Sequence, residues 1–427
     1  MTARLAEARE ETDELFRIVR TEALYDRPLP ERHRIIFYIG HLEAFDWNLL
    51  REPFGLPAFH PEFDRLFAFG IDPVEGGLPS DQPRDWPQLG QVYDYRDRVR
   101  QLLEAPLEAL NENDARLDQL LNVAIEHRLM HAETLAYMFH QLPFERKAAL
   151  TAQRVLHGQP VTPEAVPIPA GRATLGLRRA SGAFGWDNEF EEHVVTIPAF
   201  TIDRHKVTNG EYLQFMNEGG YADAALWTDA AWAWKNAHSI EHPVFWVRRG
   251  DQWMWRSMFD EVPLPLTWPV YVSHAEANAY ARWAGKTLPT EPQWHRAAYG
   301  GSAGEREYPW GDEQPPALSK HPTSGMWDPS PVNARGSGAS AFGVEGLLAN
   351  GWEWTSTEFG PFAGFERFPF YPGYSANFFD GKHYVMKGGS VRTDPCMLRR
   401  SFRNWFQPHY QYVYAGFRCA GEQDAQS

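Results

Sequence analysis

Cysteine is nearly absent: Cys396 and Cys419 are the two present in 427 residues. Two thiols cannot build a disulfide framework, and their spacing is not that of a cysteine zinc site. Positive charge is also in short supply. The 41 lysines and arginines stand against 56 acidic residues, for a formal net charge of −15, which argues against a broad phosphate-binding surface and so against nucleic acid as a partner. Long apolar runs are missing as well. No stretch approaches the roughly 18 residues of a membrane-spanning helix, and the opening MTARLAEAREETDELF is charged throughout, with none of the apolar core of a secretory signal. These absences predict a soluble, cytoplasmic protein with no membrane partner. No repeat of 20 to 50 residues marks a solenoid or propeller.

What the chain does have is core-forming material, 43% hydrophobic and 14% aromatic. Its length predicts two or three domains. The composition changes near residue 158. Before that point apolar residues recur at helical spacing, and Leu117, Leu120, Ala124, His127, His131, Leu135 and Met138 fall on one stripe. Residues 1–157 are therefore expected to form a helical bundle. The segment GQPVTPEAVPIPAG, 158–171, has four prolines that forbid a continuing helix, and it reads as a linker or an extended lead-in strand. Residues 172–421 are rich in Gly, Pro and Trp, with short strand-like runs HVVTIPAFTID and YVMKGGSV. They also hold one clear helix, SHAEANAYARWAGK, where Ser273 and Glu276 form a capping box and Gly285 suits the stop. A loop-rich α+β domain follows from this pattern, with 422–427 as a tail.

The segment EHRLMHAETLAYMFHQLP carries the most chemistry. His127 and His131 are four apart, so on a helix both imidazoles leave from one face and can share a metal. That face is the apolar stripe, so they point into the bundle. Glu133 sits about 200° round the helix from His131 and should not join the same coordination sphere. A third ligand must come from another helix, and His41 in FYIGHLEAFDWNLL is the best placed. Arg128 occupies the position where a zinc-protease helix carries its catalytic glutamate, which excludes that chemistry. A bare pair of helix histidines is more often hydrogen-bonded core than a metal site, so a second signal is needed.

The second signal lies downstream. The segments TIDRHKVTNGEYLQFMNEGGY, PVYVSHAEANAYARWAGKTLPTEPQWHRAAY, PWGDE, LLANGWEWTSTEF, MKGGSVRT and YAGFRCA occur in the order found in the formylglycine-generating-enzyme fold. Together with GHLEAFDW and EHRLMHAET upstream, nearly the whole chain resembles the ergothioneine-pathway sulfoxide synthases. That resemblance implies an N-terminal DinB-like four-helix bundle followed by a formylglycine-generating-enzyme-like, C-type-lectin-like α+β domain. It implies a mononuclear non-haem Fe(II) enzyme with dioxygen as co-substrate, His41, His127 and His131 as ligands, and hercynine, the trimethylammonium betaine of histidine, as substrate. In YPGYSANFF it makes Tyr371 the proton donor and Tyr374 a holder of the substrate imidazole. Pro372 and Gly373 would form a type II turn that keeps the tyrosines together. In RNWF, Asn404 and Trp405 would receive the betaine end, an indole face being attractive to a quaternary ammonium. Some branches draw a tyrosine from the region of Tyr93 and Tyr95, which leaves these as alternative donors.

The chain also departs from the family pattern. Synthases that use γ-glutamylcysteine carry an acidic residue directly after that Asn-Trp pair and an arginine four positions later; here Phe406 and Tyr410 stand instead. The ionic grip on that donor is thereby absent. Met130 replaces a glutamine that contacts hercynine. An aromatic pocket of this kind suits either free cysteine or a selenosugar, the donor of the related selenoneine synthases, and the sequence ranks the selenosugar, with a carbon to selenium product, ahead of cysteine or γ-glutamylcysteine as thiol donor. Two rival readings are a formylglycine-generating oxidase, which needs a closely spaced cysteine pair that Cys396 and Cys419 do not supply, and a binding scaffold with an empty site.

Overall fold

The computed structural model describes residues 1–70, 78–110, 114–149, 155–313, 326–334 and 338–422. The chain divides into two compact units, Met1–Ala152 and Gln153–Ser427. Residues 423–427 of the expected tail lie outside the described residues. Among the described residues no helix is long and apolar enough to cross a membrane.

The first unit is helical: α1 (Thr2–Arg17), α2 (Ile35–Leu50), α3 (Pro61–Phe69), α4 (Leu89–Glu108) and α5 (Ala115–His140). The four long helices make the bundle, with α1 packed on α5 and α2 against α3, α4 and α5. Helix α2 is buried at most of its positions, from Ile35 to Leu50, which makes it the central element. Asp114 starts α5 by accepting from the amides of Arg116 and Leu117. Of the apolar stripe on α5, Leu120, Ala124, His127, Leu135 and Met138 are buried, while Leu117 in the first turn is half-exposed.

The second unit is α+β. Strands β1 (Ala165–Ile168), β2 (Gly171–Leu175), β3 (His193–Ile197) and β4 (Phe200–Asp203) precede α6 (Asn209–Asn217) and α7 (Asp229–Ala237). Then come β5 (Trp246–Arg249), β6 (Gln252–Arg256), β7 (Glu261–Pro263), α8 (His274–Trp283) and α9 (Glu291–Tyr299). Strands β8 (Trp352–Glu358), β9 (Tyr384–Lys387), β10 (Asn404–Phe406), β11 (Ala415–Gly416) and β12 (Ala420–Glu422) complete it. The sheets run β1-β4-β12, β10-β9-β8-β11, β2-β3 and β5-β6-β7. The proline-bearing segment 158–171 thus delivers β1, which pairs antiparallel with β4. Helix α8 has the capping box read from Ser273 and Glu276, and Gly285 beyond it takes a φ of +66° that favours glycine.

Short strands leave much backbone in loops, and buried indoles hold it. Trp227 donates to the Gly220 carbonyl, Trp268 to that of Leu156, and Trp354 to that of Val272. A fully buried ion cluster does the same with charge. Arg418 forks onto Glu353 at 2.6 and 2.9 Å, and Lys206 and the Trp294 indole reach the same carboxylate, each at 3.0 Å. Arg418 also donates to the carbonyls of Asp203, Arg204 and Glu345, tying β12's approach to the loop after β4. Replacing Arg418 by methionine strands part of a buried carboxylate, and the expected loss is roughly 3–5 kcal/mol, read from urea unfolding. A loss below about 1 kcal/mol would mean that the cluster relaxes to water.

Candidate functional site

In the first unit α2 and α5 bring three histidines together. His41, His127 and His131 are one grouping whose ligand atoms all lie within 4.8 Å of one another. His41 Nε2 and His131 Nε2 face each other at 3.2 Å. The tautomer of His41 is set from behind: its Nδ1 donates to the Phe67 carbonyl at 2.7 Å, at the C-terminal end of α3 where carbonyls lack helical partners. Its Nε2 is left as the lone-pair atom, the arrangement that metal-ligating histidines use. Gly40 makes this possible, because a Cβ there would lie 2.4 Å from the Phe67 ring. A glycine in mid-helix, unfavourable in itself, is what lets α3 come close.

Burial sets the charge state. Desolvation pushes the His41 imidazole down to about 4, with the charges of His33 and Arg128 helping and the Phe67 carbonyl opposing. Burial likewise pushes His127 and His131 well below the ordinary histidine range, and the neighbouring imidazoles and Arg128 act in the same direction. All three rings are neutral at neutral pH, which is the ligand form. Facing ring nitrogens 3.2 Å apart suit two donors sharing one first-row ion at metal to nitrogen distances of about 2.1 Å. Three neutral imidazoles therefore fit a transition metal such as iron. The wall is aromatic: Phe45 stacks on His127 at 3.4 Å, Phe37 on His41 at 4.7 Å, and Tyr38 lies 5.7 Å from His131. Glu133 is outside the grouping. Met130 is half-buried beside His131 on α5.

Of the alternative tyrosines, Tyr95 is buried among Phe59, Phe63 and Phe67, and its hydroxyl donates to Asp64 at 2.7 Å. Burial and that carboxylate push its phenol well up. Tyr93 lines a cavity of about 390 Å³ with Asp13, Glu43, Arg100 and Arg128, on the side of α2 that carries Glu43 rather than His41.

The second unit holds the other candidates. The Tyr374 amide closes a turn onto the Tyr371 carbonyl at 3.2 Å, and the two rings are 5.6 Å apart. The turn is not the type II expected: Gly373 is not among the glycines of positive φ. Proline at the first central position serves a type I turn equally well. Glycine has a packing reason instead, since a Cβ there would sit 3.0 Å from the Asn377 amide. Tyr374 is buried and stacks on Trp186 at 4.0 Å. Burial, with the Asp187 charge nearby, pushes the Tyr371 phenol up to about 12. Asn404, Trp405 and Phe406 form β10, paired with Met386, Val385 and Tyr384 of β9. Trp405 lies flat on Phe359 at 4.1 Å and takes the edge of Tyr374 at 5.4 Å. Phe406 and Tyr410 stack on each other at 4.9 Å. Sequence reasoning missed Trp186, Asp187 and Phe359. The run GWDNE hints at the first two through its buried-type tryptophan beside acidic groups; nothing local singles out Phe359. Cys396 is half-buried and Cys419 is buried.

Comparison with known proteins fits this division. Residues 152–423 match the sulfatase-modifying factor enzyme 1-like domain, and residues 4–139 match the DinB superfamily. The chain is 40% identical over 250 residues to the hercynine oxygenase of Mycobacterium tuberculosis, a match spanning 58% of each protein. It is 34% identical over 384 residues to the hercynine oxygenase of Mycolicibacterium smegmatis, covering 84% of this chain and 83% of that one. To ergothioneine biosynthesis protein 1 of Neurospora crassa it is 27% identical over 93% of its own length, and it spans 55% of that longer protein.

Proposed function

Because the chain belongs to the ergothioneine-pathway sulfoxide synthase family, we propose that it is a non-haem Fe(II) oxidoreductase that joins a sulfur donor to C2 of the hercynine imidazole. The overall change is hercynine C–H plus a thiol S–H plus O2, giving a C2-linked sulfoxide and one water. The observation that carries the proposal is the convergence of three neutral imidazoles from α2 and α5, His127 buried and His41 and His131 half-buried. In this reading His41, His127 and His131 hold the iron, which when bound supplies the one-electron chemistry that dioxygen needs.

The chain's own residues do the rest. A phenol pushed up to about 12 keeps its proton at neutral pH, so Tyr371 can donate it. Trp405, with one face covered by Phe359, offers the other to the trimethylammonium group. Asn404 beside it supplies polar contact, and Tyr374, held by Trp186, borders the imidazole. Met130 supplies apolar bulk where the family pattern has a glutamine.

The relatives named above are hercynine oxygenases and an ergothioneine biosynthesis protein, which supports a sulfur donor over the selenosugar that the sequence ranked first. The stacked Phe406 and Tyr410 offer no ionic clamp, which favours free cysteine over γ-glutamylcysteine. The test is anaerobic loading with Fe(II), then hercynine and oxygen with cysteine, γ-glutamylcysteine and 1-selenoglucose in competition, read by mass. Cysteine sulfoxide product should lead γ-glutamylcysteine product by about tenfold or more, the value of about 1.4 kcal/mol of lost charge-assisted contact. A lead for γ-glutamylcysteine sinks the pocket argument, and a lead for the carbon to selenium product restores the selenium reading. No product from any donor overturns the function.

A further inference from the structure

Arg128 stands one position after His127, and its side chain is 1% exposed. Its guanidinium reaches past the histidines to the back of α2. Nη2 donates to the Leu42 carbonyl at 2.9 Å and to Asp46 at 2.8 Å, while Nη1 donates to Glu43 at 3.1 Å and to the Thr12 hydroxyl of α1 at 3.3 Å. Leu42 directly follows His41. The same carboxylates are held from other helices. Arg100 of α4 bonds Glu43 at 2.7 Å and grips Asp13 of α1 with two bonds, and Arg9 of α1 meets Asp46 at 3.2 Å. Three guanidiniums and three carboxylates balance, and all four long helices contribute.

Such a cluster is a poor device for stability alone, because well-packed apolar side chains often do as well or better. What charge-paired forks add is a defined geometry. A helix that slips by one residue moves about 1.5 Å and turns about 100°, which would take His41 Nε2 away from the other two rings. Resting on the reading of the triad as a metal site, we propose that Arg128 is its positioning residue. By holding the Leu42 carbonyl, Glu43 and Asp46 together it sets the height and rotation of α2 against α5, and so the point at which His41 meets His127 and His131. The arginine that displaces a protease glutamate in this motif thus serves the metal indirectly. A lysine cannot replace it, since a compact ammonium cannot span partners that a planar fork reaches at once.

The experiment is titration of the full-length, metal-free protein with Co(II), whose visible absorption reports coordination, alongside thermal melting. Arg128→Lys and Arg128→Met should bind cobalt about 10- to 100-fold more weakly than wild type, with altered spectra. Leu103→Ala, a core change on α4 outside the cluster, should lower the melting temperature while leaving affinity and spectrum intact. The positioning role is overturned if Arg128→Lys, which keeps the charge and safeguards folding, has wild-type affinity and spectrum. It is equally overturned if Leu103→Ala weakens cobalt binding as much as the Arg128 variants do at matched stability. His41→Ala separates the two levels of the argument: if it binds cobalt as tightly as wild type, the triad reading fails and the positioning role falls with it.

Discussion

Replacing His127 by alanine should abolish turnover and weaken iron binding by more than about 100-fold, since even partners of metal ligands typically cost 10- to 100-fold when removed. His127 is buried, is held neutral by its surroundings, and lies flat against Phe45. That stack restrains the ring's orientation. The substitution leaves two donors, His41 and His131, and a gap beside Phe45 that does not coordinate. Iron content after gel filtration and product formation by mass are the measurements, with circular dichroism to show that α5 still forms. A variant with full iron occupancy and full activity would remove His127 from the ligand set.

Tyr371→Phe should leave hercynine binding near wild type and lower the coupling rate by about 10²- to 10⁴-fold, the usual contribution of a general acid. The change removes one oxygen and keeps the ring that packs 5.6 Å from Tyr374 and 6.5 Å from Trp186. Binding by calorimetry and rate by single-turnover mass analysis separate the two effects. Tyr93→Phe should be close to neutral, and Tyr95→Phe should act through stability, because the Tyr95 hydroxyl is engaged with Asp64. If the rate loss appears in either of these and not at Tyr371, the donor belongs to the helical unit.

These two expectations differ in how far the residues themselves carried them. The histidine pair on α5 is legible as an inward face from its spacing and its apolar neighbours alone. Tyr371 gains a role only through resemblance, since a Tyr-Pro-Gly-Tyr run by itself describes nothing more than a turn. Pro372 and Gly373 are compatible with two turn types, and proximity to Asn377, which local propensity does not encode, explains the glycine without a left-handed backbone.

By itself the sequence determined the helical first half, the strand runs that became β3, β4 and β9, and the capped helix α8. It also determined that no cysteine chemistry of the framework or zinc kind is available. Each is a matter of local periodicity, capping or composition, and needs no knowledge of what lies across the molecule. Only the tertiary structure decided which nitrogen of His41 faces the pair, that Phe67 sets its tautomer, and that Gly40 admits Phe67. It alone revealed the charge cluster behind the triad and the Phe359 backing of Trp405. The physical reason is common to all of these: they join side chains tens to scores of residues apart, and such contacts arise from how amphipathic faces and loops pack, for which a single sequence carries no local signal.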